Sequence, residues 1–247
     1  MNEQCLICSA ETVLIKDQKT DKHYLYCTRC KFIRLTARSF LSEAEERKRY
    51  RLHDCSMNDP GYVAIFEEFI DQAIKPFIQP GNTRMALDFG SGPDPNPVLP
   101  ALLSRLGFRT VHYDKFFHPD SQWLSQPSQY HLITMTEVVE HLRQPQQQIP
   151  QLMRLLCPDG ILALMTRFHP VRRPVKSETD AFLNWWYRRD PTHISFFSPE
   201  SIAHLADIHG GQVVFCDQIK MAVLKINQQQ QNHLDIKHDT DPRRYCR

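Results

Sequence analysis

The sequence predicts a doubly wound α/β fold, in which helices cover both faces of a mostly parallel sheet, with a small metal-binding unit before it. Met85-Ala-Leu-Asp-Phe-Gly-Ser-Gly-Pro93 is typical of a buried strand that ends in an acidic residue and a glycine turn. Val111-His-Tyr-Asp114 is typical of a second strand, which also ends in a carboxylate. Strand-like and helix-like segments then alternate, which favours parallel strands joined by crossover helices.

The elements can be placed one by one along the chain. Strands are predicted at 84–89, 110–114, 130–135, 160–166, 212–217 and 220–226, with the last two as a closing hairpin. Helices are predicted at 42–50, 62–77, 97–106 and 145–156, and from Ser198 onward. The helix at 42–50 begins with Ser42 and has Glu45 three residues later, which predicts a capping box.

The glycine turn indicates what kind of ligand the sheet binds. Gly90 and Gly92 let the backbone approach a ligand closely and adopt torsions that a Cβ would forbid. Asp114 can accept hydrogen bonds from the two hydroxyls of a ribose. A dinucleotide site would require a third glycine, but Asp94 stands there and is a poor neighbour for phosphate. The pattern therefore favours a nucleoside without phosphate.

Four motifs in order resemble those of a known family. Leu87-Asp-Phe-Gly-Ser-Gly92, then Asp114, then Tyr130-His-Leu-Ile-Thr-Met-Thr-Glu-Val-Val-Glu-His-Leu142, and then Leu155-Leu-Cys-Pro-Asp-Gly-Ile-Leu-Ala-Leu164 are similar to successive motifs of class I S-adenosylmethionine-dependent methyltransferases. The resemblance covers roughly residues 83–226 and is to domains of methyltransferase types 11, 12 and 23.

The resemblance implies a seven-stranded Rossmann-like sheet and an S-adenosyl-L-methionine cofactor. It implies that Asp114 holds the ribose and that the other cofactor-binding residues are Asp88, Gly90, Ser91, Gly92, Thr136 and Glu137. The sequence departs from the family pattern in two places. Asp94 replaces the usual third glycine, and no acidic residue marks the adenine-side loop, for which Ser121 to Leu124 is the predicted stretch.

Two Cys-x-x-Cys pairs define the N-terminal unit. Cys5 and Cys8 are separated from Cys27 and Cys30 by 18 residues, a spacing typical of a zinc ribbon with four thiolate ligands. Strands at 12–15 and 23–26 are predicted between the pairs. Structural zinc would supply folding energy that so short a segment lacks. The basic residues that follow, Lys31, Arg34 and Arg38, with Phe32 among them, form either a solvated face or an RNA contact.

The candidate catalytic residues are Glu140, His141 and His193, with Glu137 beside them. Three interpretations stay open. The four side chains bind a divalent metal, an arrangement similar to that of Hen-type small-RNA 2′-O-methyltransferases and of ubiquinone-pathway O-methyltransferases. Alternatively, His141 or His193 is a general base without metal, or the Glu140-His141 pair only orders the loop under the cofactor.

Other segments near the predicted active site have weaker assignments. The loop from Arg167 to Lys176 is either a recognition site for an acidic acceptor or an exposed basic loop. Four aromatic residues form either a wall of the acceptor pocket or an ordinary helix face: Phe182, Trp185, Trp186 and Tyr187. Arg51, His53 and Asp54 precede the domain, where a lid over the cofactor is expected.

Composition limits the alternatives. A net charge of +2 does not indicate a nucleic-acid binder, and no apolar run reaches the ~20 residues of a membrane span. No secretory signal is evident, so a cytoplasmic location is expected. The predicted organisation is a ribbon at 1–40, a helical linker or lid at 41–80, a methyltransferase domain at 81–226 and a polar, disordered tail at 227–247.

The expected function is transfer of a methyl group to an oxygen or nitrogen acceptor, with a small molecule favoured over RNA. The alternative is a non-catalytic module that binds S-adenosylmethionine or S-adenosylhomocysteine, or that binds RNA or protein through the ribbon. An NAD-dependent enzyme is disfavoured because the third glycine is missing.

Overall fold

The computed structural model describes residues 3–52, 57–78, 84–120 and 127–227. Its centre is a six-stranded sheet. The strands are β4 (Arg84–Phe89), β5 (Phe108–Tyr113), β6 (Tyr130–Thr136), β7 (Leu156–Met165), β9 (Gly211–Cys216) and β10 (Met221–Ile226). Across the sheet their order is β5, β4, β6, β7, β10 and β9. The first four are parallel, and β10 is antiparallel to both of its neighbours. The predicted fold class is therefore confirmed.

The expected number of strands is wrong for the described residues, which form six strands in this sheet rather than seven. Residues 114–129 separate β5 from β6, and residues 121–126 within this stretch lie outside the described ranges.

Helices cover both faces of the sheet, and two hydrophobic cores lie between the layers. The helices are α1 (Glu43–Tyr50), α2 (Pro60–Phe69), α3 (Val98–Arg105), α4 (Pro145–Met153), α5 (Lys176–Asn184) and α6 (Pro199–Asp207). The predicted capping box of α1 is present, and Ser198 caps α6 with Pro199 in its first turn. The predicted helix at 62–77 ends its regular part at Phe69 and continues as a π-helical turn over Ile70–Ile74.

The chain reverses direction across the sheet next to β4. From β4 it crosses to β5 on one side, and from β5 it returns to β6 on the other side of β4. Such a topological switch point opens a crevice at the carboxyl ends of the strands, where loops separate in opposite directions. The glycine turn after β4 and the loop after β6 therefore meet in one place.

The N-terminal ribbon shares its sheet with the rest of the molecule. Its strands are β1 (Thr12–Lys16), β2 (His23–Cys27) and β3 (Ile33–Leu35), and they pair in that order, followed by β8 (Ser195–Phe196). The first two strands were predicted, whereas β3 was not. Because β8 begins two residues after His193, the ribbon is joined edge to edge with the chain that carries a candidate catalytic residue.

Several predictions concern residues that the structure does not describe. The adenine-side stretch Ser121 to Leu124, the lid residues His53 and Asp54, and the predicted tail beyond Asn227 lie outside the described ranges. Within those ranges, no helix has both the length and the apolar character needed to cross a membrane.

Candidate functional site

A cavity of about 570 Å³ opens at the switch point. Its volume falls within the range of small-molecule and cofactor sites. Nearly all the predicted cofactor and catalytic residues line it: Asp88, Gly90, Ser91, Gly92, Asp114, Thr136, Glu137, His141 and His193. Glu140 is completely buried beneath the wall of the cavity. The structure thus brings together residues from four separate parts of the chain, namely 88–92, 114, 136–141 and 193.

The glycine turn forms one end of the cavity. Gly90 and Gly92 have φ values of 85° and 79°, a region that side chains with a Cβ rarely adopt. The Gly90 amide donates to the Tyr113 carbonyl at 2.7 Å, which ties the turn to the end of β5. Val138 packs directly over Gly90, where an added Cβ would lie 2.4 Å from a valine methyl. Around Gly92 an added Cβ would meet no atom within 4 Å, since that side opens into the cavity.

Asp114 stands at the end of β5, opposite the glycine turn. Its Oδ2 accepts a hydrogen bond from the Gly92 amide at 3.1 Å. Its Oδ1 accepts from the amides of Phe116 and Phe117 at 2.8 and 3.1 Å. The carboxylate is therefore fixed in position before any ligand arrives. The Asp94 carboxylate instead accepts from the Asn96 amide at 2.8 Å and does not line the cavity.

Asp88 is a buried carboxyl at the end of β4, and its environment differs from that of Asp114. It accepts a hydrogen bond from the Thr134 hydroxyl at 2.8 Å, across the adjacent strand. Burial raises the pKa of Asp88 to about 7. Close to neutral pH, the protonated and ionised forms of Asp88 are therefore both populated.

Two glutamates and a tyrosine meet at the other end of the cavity. Glu137 has a φ of 54° and so leaves β6 in a left-handed turn, which is a strained conformation for a residue with a side chain. The Tyr187 hydroxyl lies 3.0 Å from Glu137 Oε2 and also forms a short hydrogen bond with Glu140 Oε1. Glu140 Oε2 is buried and has no hydrogen-bond partner among the described residues.

These acidic groups share protons. Glu137 as a residue is exposed to the cavity, but its carboxyl group is surrounded by protein atoms. Desolvation of this carboxyl, together with the nearby charge of Glu140, raises the pKa of Glu137 to about 8. Burial raises the pKa of Glu140 to about 7. A phenol has one hydrogen and cannot donate to two carboxylates at once. The cluster is thus best satisfied when one carboxyl carries a proton.

The two histidines are held in a defined tautomer. His141 Nδ1 lies 3.0 Å from the Thr192 carbonyl oxygen, and His193 Nδ1 lies 2.7 Å from the Tyr187 carbonyl oxygen. A carbonyl oxygen can only accept, so each Nδ1 carries a hydrogen and the lone pair of the neutral ring is on Nε2. The ring centroids are 4.8 Å apart. This arrangement suits both a general base and a metal ligand.

Three of the residues at this end of the cavity are placed so that they could bind a metal ion together. Glu140, His141 and His193 each offer a ligand atom, and these atoms lie within 4.8 Å of one another. Glu137, which was predicted as a fourth member, is not part of this grouping. Its carboxyl is directed to Tyr187 instead.

The four aromatic residues predicted as a possible acceptor wall do not line the cavity. Phe182 is fully buried against the ribbon, in a T-shaped contact with Tyr24. Trp186 is 60% exposed, and Tyr187 is buried behind the glutamates. These positions favour ordinary packing over an acceptor wall, because Phe182 turns toward the ribbon and Tyr187 toward the carboxyl cluster. The aromatic residues that do line the cavity are Tyr50, Tyr62, Phe66, Phe89, Tyr113 and Phe116.

Helix α1 covers one side of the cavity. Its last residue, Tyr50, stacks edge-on against His141 at a centroid distance of 5.2 Å. Arg49 pairs with Asp190 at 2.9 Å and Glu46 with Arg143 at 2.8 Å, so the helix is attached to two loops of the site. Sequence reasoning missed Tyr50, although its place as the aromatic residue at the end of a charged, capped helix before the domain was the available signal.

The four ribbon cysteines converge as predicted. Cys5 Sγ lies 3.5 Å from Cys30 Sγ, and Cys8 Sγ lies 3.4 Å from Cys27 Sγ. Sulfurs around tetrahedral zinc, with Zn–S bonds of about 2.3 Å, are about 3.8 Å apart, so the cluster fits that ion.

The two cysteine turns have the same shape. The Ser9 amide donates to Cys5 O and the Lys31 amide to Cys27 O. Ser9 and Lys31 both have left-handed φ values, of 56° and 66°. The same local geometry therefore presents each pair of sulfurs to the centre of the cluster.

The basic residues after the last cysteine make contacts within the protein. Lys31 donates to the Thr28 carbonyl at 2.6 Å, and Arg38 donates to the Asp21 carbonyl at 2.7 Å. Arg34 is stacked 5.5 Å from the Phe40 ring, and Phe32 is buried. A buried Phe32 offers no face to a base, so these contacts favour the structural interpretation of the segment over an RNA contact.

The basic loop after β7 is also largely internally paired. Arg173 faces Glu178, Lys176 faces Asp180, and Arg172 lies 3.7 Å from Glu200. Arg167 stacks on Trp186, with its guanidinium 5.8 Å from the ring centroid. These contacts favour an exposed basic loop over an anion site.

Several solved structures are similar to this chain. Mitomycin 7-O-methyltransferase is 13% identical with a TM-score of 0.40, over 58% of this chain and 49% of its own. Phosphoethanolamine N-methyltransferase 2 of Haemonchus contortus, solved with S-adenosyl-L-methionine, is 13% identical with a TM-score of 0.46, over 73% of this chain and 47% of its own. The chain thus spans about half the length of these two proteins. No curated protein sequence is significantly similar to it.

A sequence profile described as a methyltransferase domain matches residues 62–214. The matched region begins in α2 and ends in β9, so it contains the switch point, the glycine turn and the loop after β6. Because the match spans more than half of the 247 residues, the chain belongs to the methyltransferase-domain family.

Proposed function

We propose that this protein transfers a methyl group from S-adenosyl-L-methionine to an oxygen or nitrogen acceptor. The observation that carries the proposal is the pairing of the Gly92 amide with Asp114 Oδ2 at the mouth of the cavity. This pairing holds a carboxylate at the carboxyl end of β5 beside an open glycine turn, which is where a parallel sheet of this topology binds a ribose.

The cofactor would lie along the glycine turn. Asp114 would accept from the ribose hydroxyls, while Gly90, Ser91 and Gly92 would border the methionine end with Asp88 beneath them. Thr136 and Glu137 would contact it from the end of β6. When bound, S-adenosylmethionine supplies a methyl group that is already activated on a sulfonium. The protein's task is then to exclude water, align the acceptor and remove its proton.

His141 and His193 are the groups proposed to remove that proton. Each has its Nδ1 hydrogen fixed by a backbone carbonyl, so Nε2 is the basic atom. The hydrogen-bonded pair of Glu140 and Tyr187 would stabilise the positive charge that an imidazole gains when it takes up the proton. The acceptor is proposed to be a small molecule, because the cavity is of small-molecule size and the basic side chains near the ribbon and the β7 loop are engaged internally.

Calorimetric titration with S-adenosylhomocysteine tests the cofactor assignment. Asp114→Ala removes a charged hydrogen-bond acceptor worth about 1.5–3 kcal/mol, so binding should weaken by tenfold or more. Asp94→Ala is the matched control, since it removes a carboxylate from the same turn that does not face the cavity, and it should bind normally. Equal binding by both variants and the unsubstituted protein would refute the assignment of Asp114.

The proton-removal step has a separate test. Replacement of both His141 and His193 by alanine should abolish methyl transfer from radiolabelled S-adenosylmethionine to a metabolite pool, while S-adenosylhomocysteine binding persists. Turnover that survives the double substitution would show that neither imidazole is the base.

A divalent metal at Glu140, His141 and His193 is the second mechanistic candidate. The buried, unpartnered Glu140 Oε2 favours it, because a cation would satisfy that oxygen. Two imidazoles and a carboxylate suit Mn²⁺, Fe²⁺ or Zn²⁺. Native mass spectrometry separates the cases: two bound metals that fall to one in the His141→Ala/His193→Ala variant support the candidate. A single bound metal in both proteins, held by the ribbon, excludes it.

A non-catalytic binding protein is the alternative function, in which the ribbon contacts RNA or a protein partner. The internal engagement of Lys31 and Arg38 argues against RNA contact through these residues. Tight S-adenosylhomocysteine binding without transfer to any acceptor pool would favour this alternative.

A further inference from the structure

A single chain segment orients all the acid–base groups of the site. We call residues 186–193 the orienting segment. Its Tyr187 and Thr192 carbonyls accept from His193 Nδ1 and His141 Nδ1. Its Tyr187 hydroxyl contacts both Glu137 and Glu140. Any shift of this segment therefore moves the hydrogen-bond partners of both imidazoles and both carboxyls together.

The orienting segment is attached to the ribbon by a buried ion pair. Arg188, next to Tyr187, donates to Asp17 Oδ2 and to the Tyr24 hydroxyl, each at 2.8 Å. The Arg188 side chain is 9% exposed and that of Asp17 is 3% exposed. Asp17 and Tyr24 belong to the β1–β2 hairpin, which lies between the two cysteine pairs. A buried charge that loses its partner is strongly unfavourable, so this contact fixes Arg188 firmly.

A second attachment begins immediately after the segment. The Leu35 amide donates to the Ile194 carbonyl at 2.8 Å, and β3 then pairs with β8. The Ile194 amide in turn donates to the Glu140 carbonyl at 2.9 Å. One residue, Ile194, thus connects a ribbon strand to the backbone of the buried glutamate.

The cysteine cluster controls the strands that make these attachments. Cys27 is the last residue of β2, and Cys30 lies three residues before β3, so a metal bound by the cysteines would close the turn between the two strands. The Lys31 carbonyl in that turn also lies 2.7 Å from Nε2 of the buried His169. A unit of about 40 residues is too small to hold this geometry with its own core.

We infer that the ribbon is the anchor of the orienting segment, and that Asp17 and Arg188 are positioning residues for His141 and His193. Metal loading of the four cysteines then sets the geometry of the acid–base end while leaving the glycine turn and Asp114 unaffected. The inference rests on the proposed function only in treating the two histidines as acid–base groups. The mechanical coupling itself depends on the contacts alone.

Hydrogen exchange measured by mass spectrometry on the full chain tests the coupling. The zinc-loaded protein is compared with protein stripped by a thiol-reactive mercurial and EDTA. Peptides covering 186–197 should exchange about tenfold faster or more without the metal, while peptides from β4 and β6 keep their protection. Unchanged exchange over 186–197 after metal removal would overturn the inference.

If removal of the metal unfolds the whole chain, substitutions in the metal-loaded protein test the inference instead. Asp17→Asn keeps an oxygen for the Lys19 amide but removes the charge facing Arg188, and should accelerate exchange over 186–197. Asp21→Asn is the matched control, because Asp21 lies in the same turn and pairs with Arg38 at the surface. The Asp17→Asn/Arg188→Met variant lacks both charges and should regain part of the protection. Equal exchange in the Asp17→Asn and Asp21→Asn proteins would overturn the inference.

Titration of the same variants with S-adenosylhomocysteine separates this inference from the proposed function. Retained binding alongside faster exchange is the expected result. Failure of every protein to bind the ligand would refute the cofactor assignment without changing the exchange result. A loss of binding that parallels the loss of protection would overturn the claim that only the acid–base end depends on the ribbon.

Discussion

The two ends of the cavity are built in different ways. The cofactor end uses backbone groups and carboxyls at the tips of the adjacent strands β4 and β5, where the Gly92 amide meets Asp114. The acid–base end is assembled from side chains of distant segments: Tyr50, Glu137, Glu140, His141, Tyr187 and His193. The first depends on the geometry of one sheet edge. The second depends on contacts that must form between parts of the chain far apart in sequence.

This difference predicts different responses to substitution. Changes at the cofactor end should act through backbone torsions, close packing and carboxyl burial. Changes at the acid–base end, apart from Glu137, should act through hydrogen bonds between side chains and leave cofactor binding intact.

The largest effect is expected from a comparison of the two glycines at the cofactor end. Gly90→Ala places a methyl 2.4 Å from a Val138 methyl and adds left-handed strain, so it should cost about 2–5 kcal/mol of stability. Gly92→Ala meets no atom and should cost only the torsional strain of about 1–2 kcal/mol, while weakening S-adenosylhomocysteine binding. Thermal unfolding and calorimetry measure both. Equal loss of stability in the two variants would contradict the role of Val138.

A pH-dependent effect is expected at Asp88. Its pKa is raised to about 7 by burial, against about 3.9 in an unfolded chain, so the folded state binds more protons between these values. Stability contributed by the protonated group is therefore full below pH 4 and is lost as the pH rises through 7. Asp88→Asn abolishes this titration and still offers an oxygen to Thr134.

The advantage of Asp88→Asn over the unsubstituted protein should grow from pH 5 to pH 8 by about 2–3 kcal/mol. Urea unfolding without ligand, at several pH values, measures it. Parallel stability curves for the two proteins would show that Asp88 titrates normally.

The smallest of the three effects is expected at the acid–base end. Tyr187→Phe removes the hydroxyl that contacts Glu137 and Glu140, and should cost about 1.5–3 kcal/mol. Tyr26→Phe removes a neutral hydrogen bond to the Arg172 carbonyl and should cost about 0.5–1.5 kcal/mol. Neither should alter S-adenosylhomocysteine binding. Weakened binding in Tyr187→Phe alone would mean that the two ends of the cavity are not independent.

The same contrast explains what could be predicted from the sequence. The strands around the glycine turn were placed within two residues of their observed ends, because hydrophobic runs and turn residues are local signals. The cysteine cluster was predicted by spacing alone, since two short turns with equal torsions bring the sulfurs together. Strand β7 begins at Leu156, earlier than predicted, because Leu156 pairs with Tyr130 at the start of β6 before an irregularity shifts the register.

The rest required tertiary contacts. Tyr187 lies in an aromatic run that suits a pocket wall as well as a core, and its hydrogen bonds to the two glutamates depend on contacts between distant parts of the chain. Strand β8 has two residues and no periodic pattern to detect. The seven-strand expectation came from the resemblance, whereas the described residues form six strands in this sheet.

The pairing of β3 with β8 also constrains the order in which the chain can fold during synthesis. Ile33 pairs with Phe196, so the ribbon sheet spans most of the length of the described chain. A nascent chain can bind metal at the four cysteines early, but the outer edge of β3 stays without its native partner until residue 196 has left the ribosome. Because long-range pairing is slow, the last contacts of the ribbon form after the central sheet has begun to assemble. The ribbon is thus synthesised before the central sheet but is completed after that sheet has begun to form.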